Sequence, residues 1–170
     1  HTGFDIEQDL ETARQKWQSY FNALQVWGGD EREREIFATA LYHTLQMPTL
    51  YSDTDGRYRG FDQEIHQAER PYYSDFSLWD TYRTTHPLYT LLWPEQHSDL
   101  LWSISKMTQQ GNGIPRWPIA NTDSGVMLGT SANIVLSEAH LKGIDNFEVD
   151  AFYEIAKSAM LQEEELSFGS

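Results

Sequence analysis

Apolar residues at Ile6, Leu10, Ala13, Trp17, Phe21 and Leu24 recur every three or four positions, which predicts an amphipathic helix over about 4–26, stopped by Gly28-Gly29. Asp30 with Glu33 three residues on reads as a capping box. The helix it opens runs through Ile36, Phe37, Ala40, Leu41 and Leu45 and ends at Pro48. Between Thr49 and Ser74 the helical period disappears, and Gly56, Gly60 and Pro71 punctuate a long loop with room for a short strand pair. Loops of that length in compact domains are functional or disordered, and the aromatic content of this one argues for order. Helical patterning returns over about 75–92 and again over about 95–110, with Pro94 in the first turn and Gly111 at the close. The turn Gly111-Asn-Gly-Ile-Pro leads to Trp117, and a further helix is expected over about 125–142, ending at Gly143. Asp145 and Glu148 read as a second capping-box pair ahead of Val149, Phe152, Ile155, Ala159 and Met160, and Glu163-Glu-Glu165 as a solvated tail. Six helices in pairs with site residues on their connections predict an all-α bundle or toroid, with a functional loop at about 49–74. No internal repeat and no low-complexity segment is visible.

A chain of 170 residues, 39% hydrophobic and 14% aromatic, suits one globular domain. Twelve basic residues against 26 acidic ones give a formal charge of −14, which repels phosphate backbones and anionic membrane surfaces, so neither nucleic acid nor membrane is an expected partner. No run approaches the length of a spanning helix, and His1-Thr-Gly does not open like a signal peptide. Without cysteine, redox compartment is not legible.

Chemistry concentrates in Tyr51-Ser-Asp-Thr-Asp-Gly-Arg-Tyr-Arg-Gly60, Phe76-Ser-Leu-Trp-Asp-Thr-Tyr-Arg83 and Trp117-Pro-Ile-Ala-Asn-Thr-Asp123. Aromatic faces beside carboxylates and guanidinium forks suit a sugar, which offers hydroxyl edges and a flat C–H face. Asp53-Thr-Asp55-Gly56 begins like a calcium loop with Glu64 at its twelfth position, but Arg57 and Tyr58 stand where a ligand and a glycine belong. An Asx-turn or a substrate-facing loop balanced by Arg57 and Arg59 fits better. Trp79, Asp80 and Arg83 share one helical face, as a sugar contact or as an i, i+3 ion pair. His43, His66, His86, His97 and His140 lack the spacing of a zinc site. Asp123 reads either as a helix cap or, if Trp117 shields it from water, as a catalytic acid.

Those three segments, with His86-Pro-Leu-Tyr89, Pro115-Arg-Trp-Pro118 and Leu141-Lys-Gly143, resemble glycoside hydrolase family 92, calcium-dependent exo-α-mannosidases that invert the anomeric centre. The similarity runs colinearly over about 4–160. It implies the first half of an (α/α)6 toroid filling residues 1–170, with the family's N-terminal β-sandwich and remaining helices outside the chain. Asp53, Asp55, Gly56, Arg57, Trp79, Asp80, Arg83 and Trp117 would line the sugar pocket and Asp123 would be the catalytic acid. The resemblance further implies calcium held by ligands elsewhere, a mannose-containing glycan as partner, and secretion or a periplasmic location. The parent would be an active mannosidase and the isolated chain inactive, self-associating or packed on the remainder through apolar edges. One departure falls on the acid. The family's Asn-Glu-Thr becomes Thr122-Asp-Ser124, its preceding glycine becomes Asn121, and a Tyr-His pair becomes Thr130-Ser131. A non-catalytic carbohydrate-binding relative and a helical scaffold module are the alternative functions.

Overall fold

The computed structural model describes residues 5–168, and packing divides the chain into two compact units, His1–Leu45 and Gln46–Ser170. The first unit holds α1 (Ile6–Phe21) and α2 (Glu31–Thr44). Helix α1 is shorter than the hydrophobic period predicts, ending at Phe21 with Asn22 as its C-cap rather than at about residue 26, and Gly28 and Gly29 lie beyond it in left-handed backbone. The capping box of α2 forms as read: Glu33 N–H donates to Asp30 Oδ1 and Asp30 N–H to Glu33 Oε2, both at 2.9 Å. Trp17 and Tyr42 join the two helices, ring centroids 4.8 Å apart. Only Leu41 is buried among the α2 residues, while Ile6, Leu10 and Ile36 stay exposed, so within this unit much of the apolar stripe is uncovered.

The second unit is built around α5 (Pro94–Gly111), whose Leu100, Leu101, Ile104 and Met107 are fully buried. Packed on it are α4 (Thr85–Leu92), α6 (Ser131–Leu141) and α7 (Val149–Phe168), preceded by the single turn α3 (Leu78–Thr81). The 49–74 loop contains two antiparallel strand pairs rather than one. Strand β1 (Thr49–Leu50) pairs with β4 (Tyr73–Ser74), and β2 (Arg57–Arg59) with β3 (Ile65–Gln67). A third pair, β5 (Pro118–Ile119) and β6 (Thr122–Asp123), carries the third aromatic-acidic segment. The all-α class holds, with short hairpins set into the connections.

Three expectations are corrected. The helix expected over 75–92 is broken into α3 and α4 around Tyr82, Arg83 and Thr84, where Arg83 folds back so that its guanidinium donates to Trp79 O. The helix expected over 125–142 starts only at Ser131, because Gly125, Met127 and Gly129 all have positive φ, which no α-helix admits. Asp145 and Glu148 do not act as a capping box: Asp145 takes His140 Nδ1 at 2.5 Å, and Glu148 bonds Lys106 and Gln109 across to α5. A lysine, a histidine and an amide on neighbouring elements take up these carboxylates in place of one free backbone N–H. The acidic tail Glu163–Glu165 lies outside the described side chains.

Candidate functional site

Residues 53–56 form a tight turn, with Gly56 N–H donating to Asp53 O at 2.9 Å and Asp53 N–H to Arg57 O at 2.8 Å. Gly56 is required there. Its φ is +84°, and a Cβ would lie 2.5 Å from Ala68 O. Asp55 accepts the Arg57 backbone N–H at 3.1 Å and its Nε at 2.7 Å, and these bonds hold its carboxyl below the usual range. Both partners are more than half exposed, so the pair shapes the turn and adds little stability. Beneath the turn Tyr58 is buried, stacked on Tyr72 at 3.8 Å with an 18° interplanar angle, and its hydroxyl accepts from Gln110 Nε2 at 2.9 Å. Tyr51, Asp53, Arg57, Arg59 and Ile65 border a shallow depression of about 380 Å³ with Tyr58 at its base. Tyr51 and Tyr58 are contributors that sequence reading did not single out.

Trp79, Asp80 and Arg83 all reach the surface of this unit. Arg83 lies 5.1 Å from the Trp79 ring centroid and 4.3 Å from that of Tyr82, a cation–π clamp. Asp80 accepts from the Ser77 hydroxyl at 2.5 Å. Among the described residues no ion pair joins Asp80 to Arg83, so the structural alternative for these two residues is not what forms.

Asp123 is not a helix cap. It closes the β5–β6 hairpin, where Oδ2 accepts Arg116 N–H at 2.7 Å and Trp117 N–H at 3.0 Å, and Oδ1 accepts Gly125 N–H at 2.8 Å. Both Asp123 and Trp117 are half-buried. Oδ2 takes two donors and Oδ1 one, which leaves Oδ1 with the uncommitted lone pair.

The two hairpins are tied together through side chains the sequence did not mark. Gln63 Nε2 donates to Asn121 O at 3.1 Å, and Asn121 Nδ2 to Gln63 Oε1 at 2.6 Å. No residue pattern announces an amide pair 58 positions apart. On the far side Trp79 meets the loop before α6 at Gly129.

Among the described residues no group of three His, Asp or Glu side chains is placed to hold a metal ion. With Asp55 engaged by Arg57, residues 53–64 do not fit a complete calcium site. No helix among the described residues is long and apolar enough to cross a membrane.

Comparison with solved structures places the chain beside α-mannosidases. It superposes on the family GH92 alpha-mannosidase BT3965 from Bacteroides thetaiotaomicron with a TM-score of 0.84 and 28% identity, over 91% of this chain and 21% of that one. The same enzyme in complex with mannoimidazole gives 0.84, 28%, 92% and 21%. The inverting mannosidase BT2199 of the same organism gives 0.81, 29%, 91% and 21%. The chain therefore spans about a fifth of the length of these structures. No curated protein matches it. The profile of the glycosyl hydrolase family 92 catalytic domain matches residues 1–168, and the chain belongs to that family.

Proposed function

We propose that the chain is part of an exo-acting, inverting α-mannosidase that removes terminal α-linked mannose from glycans, and that it forms one wall of the sugar site. Family membership and the neighbour complexed with mannoimidazole support a mannose-containing partner. Asp53, Arg57, Trp79, Asp80 and Arg83 are exposed in this chain, available to a sugar or to the rest of the enzyme. Asp55 and Gly56 shape the 53–59 turn, and Trp117 supports the acid. Calcium dependence belongs to the proposal, with ligands outside this chain, as do secretion or a periplasmic location and packing of the apolar faces on the remaining helices.

The observation that carries the mechanism is the hydrogen bonding of Asp123. Inversion needs one carboxyl group to protonate the leaving oxygen and a second, about 6.5–9.5 Å away, to activate water on the opposite ring face. Asp123 is anchored through Oδ2 by two main-chain donors, and Oδ1, which accepts one, is the less engaged oxygen. Being one methylene shorter than glutamate, it serves as the acid under this reading with its backbone set about 1 Å closer to the leaving oxygen than a glutamate's would be. The same three N–H donors favour a second reading, a carbohydrate-binding relative whose Asp123 only braces the hairpin. The two separate on turnover. In the complete enzyme Asp123→Asn lowers kcat on mannobiose by about a hundredfold or more under the first reading, with KM nearly kept. Mannose binding without turnover by the unmodified protein supports the second, and full turnover in Asp123→Asn removes the acid assignment.

A further inference from the structure

Six non-glycine residues among those described have positive φ, and three of them meet at one junction: Gln63 (φ 69°), Asp75 (φ 62°) and Ala120 (φ 51°). A side chain with a Cβ occupies that region at a steric cost, so it persists only where surrounding contacts over-determine it. Here they do. The tip of the β5–β6 hairpin is gripped from two sides. On one side Ala120 N–H donates to Asp75 Oδ1 at 3.0 Å, Ser74 Oγ to Ala120 O at 2.6 Å, and Phe76 N–H to Pro118 O at 3.2 Å. On the other the Gln63 side chain makes two hydrogen bonds with Asn121, donating from Nε2 to its main-chain O and accepting from its Nδ2, and Gln63 stands on a turn closed by its own N–H to Gly60 O at 3.0 Å. That turn is itself seated, since Gln110 of α5 accepts Phe61 N–H at 3.4 Å.

The hairpin needs such support. Its strands are two residues each, and a two-stranded ribbon of that size does not hold a fixed geometry alone. Asp123 lies two residues past Asn121, so whatever fixes the tip fixes the carboxylate.

We propose that the Gln63–Asn121 clasp is a positioning device that locks the Asp123 hairpin onto the hairpin of residues 57–67, which makes Gln63 and Asn121 positioning residues for proton delivery. This rests on the assignment of Asp123 as the acid. The clasp couples the wall carrying Asp53 and Arg57 to the group that protonates the leaving oxygen, and Asn121 stands where the family resemblance has glycine, which keeps the main-chain acceptor but has no side chain to make the second bond. Both amides lie at the surface, where a hydrogen bond adds little net stability, so the clasp acts on geometry more than on folding.

The test uses the complete enzyme with Gln63→Gly, Asn121→Ala, their combination, and the exchanged pair Gln63→Asn with Asn121→Gln. Gln63→Gly removes the clasp and the left-handed strain together, so its melting temperature is expected to hold or rise. Amide exchange at Arg116, Trp117 and Gly125 speeds up in both single variants. Turnover of mannobiose falls about tenfold or more while KM stays within about twofold, given that misplacement by about 1 Å costs up to a hundredfold. An aryl mannoside, whose leaving group needs little protonation, is affected far less. The double variant is no worse than Gln63→Gly alone, which already removes both bonds, and the exchanged pair recovers part of the loss. Unchanged amide exchange in the single variants overturns the clasp, and faster exchange with unchanged mannobiose turnover overturns its positioning role. Full turnover in Asp123→Asn instead overturns the acid assignment, an outcome the exchange data keep distinct from a missing clasp.

Discussion

Trp79 occupies the space that Gly129 leaves open: a Cβ on Gly129 would lie 3.1 Å from Cζ3 of the indole. The contact joins α3 to the loop that precedes α6, two segments whose residues are 50 positions apart (129 − 79). Gly129 also has a φ of +84°, so steric demand and backbone conformation select the same residue.

Gly129→Ala is therefore expected to destabilise the chain by about 1–2 kcal/mol from the backbone term alone, with displacement of the indole adding to it. Thermal unfolding measures the loss. An unchanged melting temperature would mean that this loop does not hold the left-handed conformation.

A second expectation concerns acid. His86 Nδ1 and His97 Nε2 are buried 3.0 Å apart. Thr90 donates its hydroxyl to His86 O, so it accepts from His97 Nδ1–H, which leaves His97 Nε2 as the acceptor for His86 Nδ1–H. Burial lowers the pKa of both rings, with a further contribution to His86 from His97 and to His97 from Lys142; the uncharged Tyr89 ring packs on both. Near neutrality both rings are neutral, folded or unfolded. Below about pH 6.5 the unfolded chain takes up protons that the folded chain refuses, so stability falls by up to about 1.4 kcal/mol per pH unit for each histidine. Melting temperatures from pH 7 to pH 5 check this: His97→Gln should show a shallower decline than the parent chain, and parallel declines would contradict it.

How much of this was legible follows from the range of the interactions. The Asp30–Glu33 cap is local, needing only a carboxylate three residues from another, and it forms as the spacing predicts. Helix α5, with Pro94 at its start and Gly111 at its end, was equally plain. The 125–130 stretch misled because Val126, Met127 and Leu128 look helical by composition. Their backbone is instead governed by left-handed turns at Gly125, Met127 and Gly129, which no hydrophobic period encodes. Trp117 and Asp123 were identifiable by residue type, but the three main-chain donors on Asp123 depend on a hairpin whose strands are too short to register as a pattern. The Gln63–Asn121 pair was invisible for a plainer reason: two amides far apart in sequence carry no mark of each other.

Arg70 supplies a long-range prediction of a different kind. Its Nε donates to Asp99 Oδ1 at 2.6 Å, one terminal nitrogen to Ser98 Oγ at 3.0 Å, and the other to Asn146 O at 3.1 Å, while the guanidinium lies 5.7 Å from the Trp102 ring centroid. One planar fork thus fastens the loop before β4 to α5 and to the α6–α7 connection. A lysine keeps the charge but cannot reach three acceptors from one plane. Arg70→Lys should cost about 1–3 kcal/mol through acceptors left without a donor. Chemical denaturation of the two chains decides it, equal midpoints being the contrary result.

The chain of residues 1–170 by itself should not release mannose. An inverting site needs a second carboxylate at about 6.5–9.5 Å from the acid, free to take a proton from water. Beyond Asp123 the nearest acids in sequence are already engaged: Glu138 with Lys142, Asp145 with His140, and Glu148 with Lys106 and Gln109. Asp150 and Glu154 lie exposed on α7. A base used in turnover cannot also be held as the permanent partner of a lysine or histidine, which removes those three. Asp53, Asp80, Asp150 and Glu154 stay exposed, and it is the family resemblance that puts the missing carboxylate in the part of the protein this chain does not span. Incubating purified 1–170 with calcium and α-1,2-, α-1,3- or α-1,6-mannobiose should leave each disaccharide intact. Calcium-dependent appearance of mannose, abolished by Asp123→Asn, would place the base among these residues and show that the acid and its counterpart both reside in residues 1–170.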